Sequence, residues 1–325
     1  MNRRTLLGAA GSAALLPALP RLARAQPAWP DRPLRMIVPY PPGGGTDVVA
    51  RELAQRLTAA TGWNVVVENR PGAGGNIGID AVATARDGHT IGLGQTSNLA
   101  INPTLYPTIP YQPLRDLSLI SLVASQPNVL VVAKASPMKT LSDLVRTAKA
   151  RPGALTAGHP GSGTVGHLSV EMFIRRAEID IVIVPYRGAG QVMTDLMADR
   201  IQLYSANPLA VRGMLESGDM RALSVTSAAR LPTLPEVPTI AESGYPGFEA
   251  VNWTGVVGPA SMPPAVVARL NAEIGKALAL PAMRDRLTTE GSTPRPSSPE
   301  EFRVFLTSEI EKWGQVVREG KVQAD

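Results

Sequence analysis

The chain contains no cysteine. That single absence excludes disulfide scaffolds, thiolate zinc sites, iron–sulfur clusters and cysteine nucleophiles. Histidine is almost missing too: His89, His159 and His167 are the only three. Aromatic residues make up 4%, too little for the stacking platforms that hold single-stranded nucleic acid. A strong charge of one sign is also lacking. The formal net charge is +5, but residues 1–25 hold Arg3, Arg4, Arg21 and Arg24 and no acid. Without them 28 basic residues face 27 acidic ones, a net of +1. No nucleic-acid partner is expected from that balance. No segment past residue 25 has 18 unbroken apolar residues, so no membrane-spanning helix is expected.

Glycine and proline are plentiful, at 30 each in 325 residues. They show no three-residue period and fall between apolar runs, which indicates many loops joining packed elements. Hydrophobic residues at 44% supply ample core. The length suits two lobes of about 150 residues each.

Residues 1–25 have the three parts of a secretory signal. Asn2-Arg3-Arg4 precedes the apolar run Leu6 to Leu19, and Ala23-Arg24-Ala25 before Gln26 is an A-x-A cleavage pattern. The paired arginines before Thr5-Leu6-Leu7 resemble a twin-arginine export signal. An ordinary Sec signal containing two arginines is the alternative. Either way the mature chain is expected in the periplasm, without a lipid anchor.

The mature sequence alternates β-branched runs with helical stretches. Strands are expected at Leu34 to Val38, Val65 to Glu68 and Thr90 to Leu93, with helices at Thr46 to Thr61 and Asn76 to Ala85. A second βα series runs from Val129 to Val225, and helices close the chain from Pro264 to Gly320. Ser298 is placed to cap the last of them, with Glu300 and Glu301 in its first turn. The rhythm predicts an α/β fold built on parallel sheets. The chain is expected to cross between lobes near 120–130 and again near 250–257.

Two glycine-rich loops each follow a strand and open a helix. The first is Pro41-Pro42-Gly43-Gly44-Gly45-Thr46-Asp47, the second Gly161-Ser162-Gly163-Thr164-Val165-Gly166-His167. A helix start exposes unpaired N–H groups and the positive end of the dipole, and glycine lets an anion approach that backbone. Two such loops facing each other would hold an anion from both sides. As plain tight turns they would have no such role. Asp47 is better placed as a helix cap than as a catalyst. Further polar groups at strand ends are Thr96-Ser97-Asn98, Tyr186-Arg187 and Asn207.

Enzyme readings fare poorly. Gly161, Gly163 and Gly166 fit G-x-G-x-x-G, but the preceding strand is short and Glu178 and Asp180 are misplaced for the ribose. Ser162 is not in G-x-S-x-G, because position 160 is proline. His159 and His167 do not form H-E-x-x-H, and neither glycine loop ends in the Lys-Ser or Lys-Thr of a phosphate loop. No metal, cofactor or catalytic residue is expected.

At these loops the sequence resembles the Bug family, the periplasmic solute-binding components of tripartite tricarboxylate transporters. The matching stretches include Arg35 to Gly44 (RMIVPYPPGG), Val66 to Gly78 (VVENRPGAGGNIG), Asn102 to Tyr106, Gly163 to Leu168, Val184 to Gly188 and Leu234 to Thr239, in order along the mature chain. The resemblance implies a two-lobed periplasmic-binding-protein-like fold, each lobe a mostly parallel sheet with flanking helices, joined by two hinge crossings. It implies residues 26–124 and 252–325 in the first lobe and 125–251 in the second. The implied function is to capture a small carboxylate between the lobes and deliver it, as a monomer, to the membrane subunits of such a transporter. The ligand-binding set is then Tyr40, Pro42, Gly43, Gly44, Thr46 and Asp47 with Thr96, Ser97 and Asn98 in one lobe. In the other it is His159, Ser162, Gly163, Thr164, His167, Tyr186, Arg187 and Asn207. His159 and Arg187-Gly188, with Gln191 beyond, depart from the family's usual residues, which puts the usual ligand in doubt. An exported α/β oxidoreductase or hydrolase, or a ligand sensor for a signalling receptor, are the competing classes.

Overall fold

The computed structural model describes residues 29–186, 188–289 and 291–324. The expected leader, residues 1–25, and Arg187 lie outside them.

Eleven strands and eleven α-helices are described. In the first half β1 (Leu34–Val38), α1 (Gly45–Thr61), β2 (Val65–Asn69), α2 (Asn76–Ala83), β3 (Thr90–Gln95), α3 (Asn102–Leu105), α4 (Pro113–Asp116) and β4 (Leu117–Pro127) follow in order. The middle holds β5 (Val129–Ala133), α5 (Leu141–Ala150), β6 (Leu155–His159), α6 (Val165–Ala177), β7 (Ile181–Pro185), α7 (Ala189–Met197), β8 (Leu203–Ala206), α8 (Pro208–Glu216) and β9 (Met220–Val225). The chain ends with β10 (Val251–Pro259), α9 (Pro264–Ala279), α10 (Pro281–Thr289), β11 (Thr293–Pro294) and α11 (Pro299–Gly320).

Two sheets result. The first has the order β11-β4-β10-β3-β1-β2, the second β7-β6-β8-β5-β9. Helices cover both, so the architecture is α/β and two-lobed. β1 and β3 are buried along almost their whole length, which explains their continuous apolar runs. Gly92 and Gly94 in β3 let neighbours pack tightly, since an added Cβ would lie 2.5 Å from Val82 Cγ2 or from Leu99 Cδ1. α11 starts with the capping box that Ser298 and Glu301 suggest: each side chain bonds the other's backbone N–H.

The sheets are not mostly parallel, which corrects one expectation. β1 pairs in parallel with β2 and β3, and β6 with β7 and β8, but every pairing of β4, β5, β9, β10 and β11 is antiparallel. The cause is the double crossing. β4 leaves the first lobe and β10 returns to it, so the two lie side by side and oppositely directed, from Val251 beside Pro127 to Pro259 beside Leu117. A parallel pairing would need a helical crossover between them. β4 runs unbroken through residue 124 to Pro127. The passage is tied at Asn128, whose N–H donates to Thr226 Oγ1 at 2.8 Å.

One apolar cluster runs through both lobes, joining Leu99 and Leu105 to Val165, Phe173, Phe302 and Trp313. Under the returning strand, Glu309 is buried and accepts from the indole N–H of Trp253 at 2.7 Å and of Trp313 at 2.8 Å. Lys312 pairs with its other oxygen.

Candidate ligand-binding site

The first glycine loop is held open by its own acid. Gly43 has φ +83°, a left-handed conformation that favours glycine. Its N–H donates to Asp47 Oδ2 at 2.9 Å; Arg51 donates to the same oxygen at 2.9 Å, and Asn69 Nδ2 to Oδ1 at 2.8 Å. Burial pushes the Asp47 carboxyl up, but these donors outweigh it and hold its pKa at about 2. Asp47 is thus fully engaged in shaping the loop and is a buried anion, not a donor to one.

α1 itself begins without a side-chain cap. Its first intrahelical bond runs from Val48 N–H to Gly44 O, at 3.0 Å. The N–H groups of Gly45, Thr46 and Asp47 come before it and have no intrahelical partner. Gly45 and Thr46 open into a pocket of about 140 Å³. Val49, Ala124, Ser125, Gln126, Asn252, Thr254 and Ser292 line it from the side of the first sheet, and Asn207 lines it from the end of β8 in the second. All the described lining side chains are neutral. The volume is well below the roughly 300–1,000 Å³ of drug-sized sites, so a ligand must be small.

Asn207 bridges the lobes at this pocket. It caps α8 by accepting from Leu209 N–H at 2.9 Å, and its amide donates to Gln126 Oε1 at 3.0 Å. Thr46 donates its hydroxyl to Gln95 Oε1 at 2.9 Å. Of the seventeen expected site residues, the structure brings Thr46 and Asn207 to this pocket. Gly43 and Gly44 sit exposed beside it in the same loop, as does Pro42.

The second glycine loop is arranged differently. Its helix is already capped: Thr164 Oγ1 accepts from His167 N–H at 3.2 Å. Gly161 N–H donates to His159 Nδ1 at 3.3 Å, and Gly163 N–H to His167 Nδ1 at 3.2 Å. The two imidazoles are buried and stacked, centroids 3.9 Å apart. The histidines therefore occupy two of the loop N–H groups that sequence reasoning offered to an anion. Ser162 is half-buried in the same loop. Gly163, at φ +70°, meets the other lobe: a Cβ there would lie 2.2 Å from Leu105 Cδ2.

The remaining expected residues are engaged inside the protein. Thr96 is fully buried and accepts from Trp253 N–H at 2.8 Å, tying β3 to the returning strand. Asn98, also fully buried, accepts from Gln95 N–H at 2.9 Å and donates to Tyr40 Oη at 3.1 Å. Ser97 is half-buried at the start of the same turn of helix. Tyr186 donates to Asp195 Oδ2 at 2.8 Å, towards its own helix α7.

A second groove, of about 190 Å³, lies between α8 and α10. Leu209, Leu215 and Leu234 line it, and its charged pair, Arg212 and Glu216, is satisfied internally at 2.8 Å. It offers no unpaired helix start to an anion.

Sequence comparison decides what kind of protein holds this pocket. Residues 49–322 match the family described as the tripartite tricarboxylate transporter family receptor. The chain belongs to that receptor family. Protein BugT of Bordetella pertussis is 41% identical over 293 residues, which is 90% of each chain. Among solved structures, an R. palustris protein, Rpa4515 with adipate, superposes with a TM-score of 0.77 at 35% identity, over 91% of this chain and 100% of that one. The periplasmic binding protein BugD gives a TM-score of 0.73 at 31% identity, over 91% of this chain and 100% of that one. The receptor family is one of solute-binding proteins, and its fold is the two-lobed one described above.

Sequence reasoning missed Gly45, Ser125, Gln126, Asn252, Thr254 and Ser292 as lining residues. Part of the signal was present. Ser125-Gln126 follows the apolar Leu122-Val123-Ala124, and Asn252 and Thr254 alternate with the buried Trp253. Polar residues at alternate positions of an apolar strand mark one face as wet.

Proposed function

We propose that this receptor captures a small carboxylate in the pocket between α1 and Asn207, and delivers it, unchanged and as a monomer, to the membrane subunits of a tripartite tricarboxylate transporter. The observation that carries the reading is the uncapped start of α1, opening into a small pocket whose described lining is neutral and comes from both sheets' elements. Backbone N–H groups and the helix dipole would take the carboxylate, without a lysine or arginine clamp. Adipate bound to a solved relative is in keeping with that ligand class. Contact with both lobes would favour the closed form, because a ligand shifts a conformational equilibrium only by its differential affinity.

The test is thermal unfolding of the mature chain against small carboxylates and their matched primary amides. Ligand at 100 times its Kd stabilises by about 2.7 kcal/mol. With an unfolding entropy of about 2.1 cal/mol/K per residue over about 300 residues, that is a shift of roughly 4 °C. Carboxylates should give the shift, amides should not, and the ligand should be recovered unchanged. Equal shifts from acid and amide would refute anion capture. For export, N-terminal sequencing of periplasmic protein should begin at Gln26.

A further inference from the structure

The second glycine loop holds two buried histidines for which the proposed capture has no use. His159 ends β6 and His167 lies in the first turn of α6, and the loop between them folds so that their rings stack within 5° of parallel. Their tautomers follow from their partners. A backbone N–H can only donate, so Gly161 N–H at 3.3 Å and Gly163 N–H at 3.2 Å each need a bare Nδ1 lone pair. Each ring is therefore neutral, with its proton on Nε2. What the bonds fasten is the turn at Gly163, which meets Leu105 of α3, on the first sheet's side of the molecule. The charged and titratable groups around the pair come from several elements. On α6, Glu171 Oε1 lies 3.7 Å from His167 Nε2, and Glu171 Oε2 lies 3.1 Å from Arg175. Burial pushes the Glu171 carboxyl up, but His167 and Arg175 outweigh it and hold it below its usual range. Arg175 in turn reaches Glu319 of α11 at 3.8 Å. Tyr186 gives its N–H to His159 O and its hydroxyl to Asp195 of α7. Tyr106 follows Leu105, and the charged Arg187 lies two residues along the chain from Pro185, the strand neighbour of His159.

We infer that His159 and His167 form a proton-operated clasp: uptake of one proton by either ring releases the second glycine loop from that ring and loosens the loop against Leu105. A proton from solvent adds to the Nδ1 lone pair. The ring becomes a cation whose two nitrogens both donate, and the loop N–H that it held loses its acceptor. Two donors then face each other, and the loop has to move. Glu171, an anion beside His167 Nε2, faces the new charge. Two cations stacked at 3.9 Å would repel, so a single proton is the step that matters. The sign is fixed by the geometry. The fastened loop needs both rings neutral, so it is complete at the alkaline end of the range where imidazoles titrate, about pH 5–8, and is lost as pH falls through it. The clasp stands whether or not the pocket at α1 holds a carboxylate.

The test is nuclear magnetic resonance of the ligand-free mature chain at about pH 8 and about pH 5.5. In the alkaline sample the ring nitrogens of both histidines should show Nδ1 bare and Nε2 protonated. In the acid sample one ring should carry both protons. Amide protection at Gly161 or Gly163, corrected for the intrinsic pH dependence of exchange, should then fall at least about 5-fold. The cross-relaxation between Gly163 Hα and the Leu105 methyls should weaken with it. His159→Asn and His167→Asn each place Oδ1 where Nδ1 stood, which accepts the same N–H and does not titrate. With both changes, protection and the Leu105 contact should be the same in the two samples. An Nδ1 protonated in the alkaline sample would overturn the inference. So would rings that stay neutral in acid, protection that does not fall once a ring is charged, or a fall that survives in the double variant. Should the double variant not fold, the ring and amide measurements on the unaltered chain decide alone.

Discussion

Replacing Gly163 by alanine should weaken ligand binding by pushing the lobes apart. Two separate costs can be worked out. The residue sits at φ +70°, where a side chain costs about 1–2 kcal/mol whether the lobes are open or closed. That part lowers stability and leaves affinity alone. The second cost comes from the other lobe. The new Cβ would lie 2.2 Å from Leu105 Cδ2, and Leu105 is only 8% exposed. Relief needs a strained Leu105 rotamer, about 0.5–1.5 kcal/mol, or separation of the lobes. If closure brings these residues together, about 1 kcal/mol falls on the closed form, roughly 5-fold in Kd. Leu105→Ala removes the obstruction but leaves a cavity costing about 2–5 kcal/mol. The double variant should therefore be less stable than Gly163→Ala and yet bind more tightly. Calorimetric titration and thermal unfolding of the four proteins read both quantities. Unchanged affinity in Gly163→Ala, or no rescue by Leu105→Ala, would show that this contact persists in the open form and that closure does not run through it.

Three further outcomes follow from the same geometry. The Asp47 carboxyl has a folded pKa of about 2 against 3.8, so its stabilisation is present above the unfolded value and lost as pH falls towards 2. Asp47→Asn should lose on the order of 2 kcal/mol at neutral pH and flatten the acid limb of denaturant melts between pH 5 and 2, as judged from about 1.4 kcal/mol per pK unit. His167→Phe keeps an aromatic ring against His159 but strands the Gly163 N–H, and should lower the melting temperature by roughly 2–5 °C. Glu309→Leu strands two buried indole N–H groups and should cost about 2–5 kcal/mol, read by urea unfolding.

The parallel halves of both sheets were legible because glycine and proline punctuate them and each apolar run is short. β1, α1, β2, α2 and β3 fall within a residue or two of their expected limits. β4 was not legible as a strand. Its run from Leu117 to Pro127 is buried almost throughout, so it lacks the alternation that marks a half-buried strand. The site divides along the same line. Thr46 and Asn207 could be picked out as pocket-lining residues because a strand-to-helix loop is a local feature. Asn252 and Thr254 could not, because what makes them a wall is long-range pairing: Asn252 lies beside Gln126, and Thr254 beside Ala124 and Gln95. The second loop misled for a subtler reason. Its glycines and its two histidines were both visible, but spacing alone does not reveal that the rings fold back onto the N–H groups of Gly161 and Gly163.

The central claim is that backbone N–H groups at the start of α1 hold the ligand's carboxylate. A crystal structure of the mature chain with the carboxylate giving the largest thermal shift tests it most directly. The account predicts a carboxylate oxygen about 2.7–3.2 Å from the N–H of Gly45 or Thr46, with the far end of the ligand between Asn207 and β10. A carboxylate clamped by Arg187, or seated in the groove between α8 and α10, would contradict it.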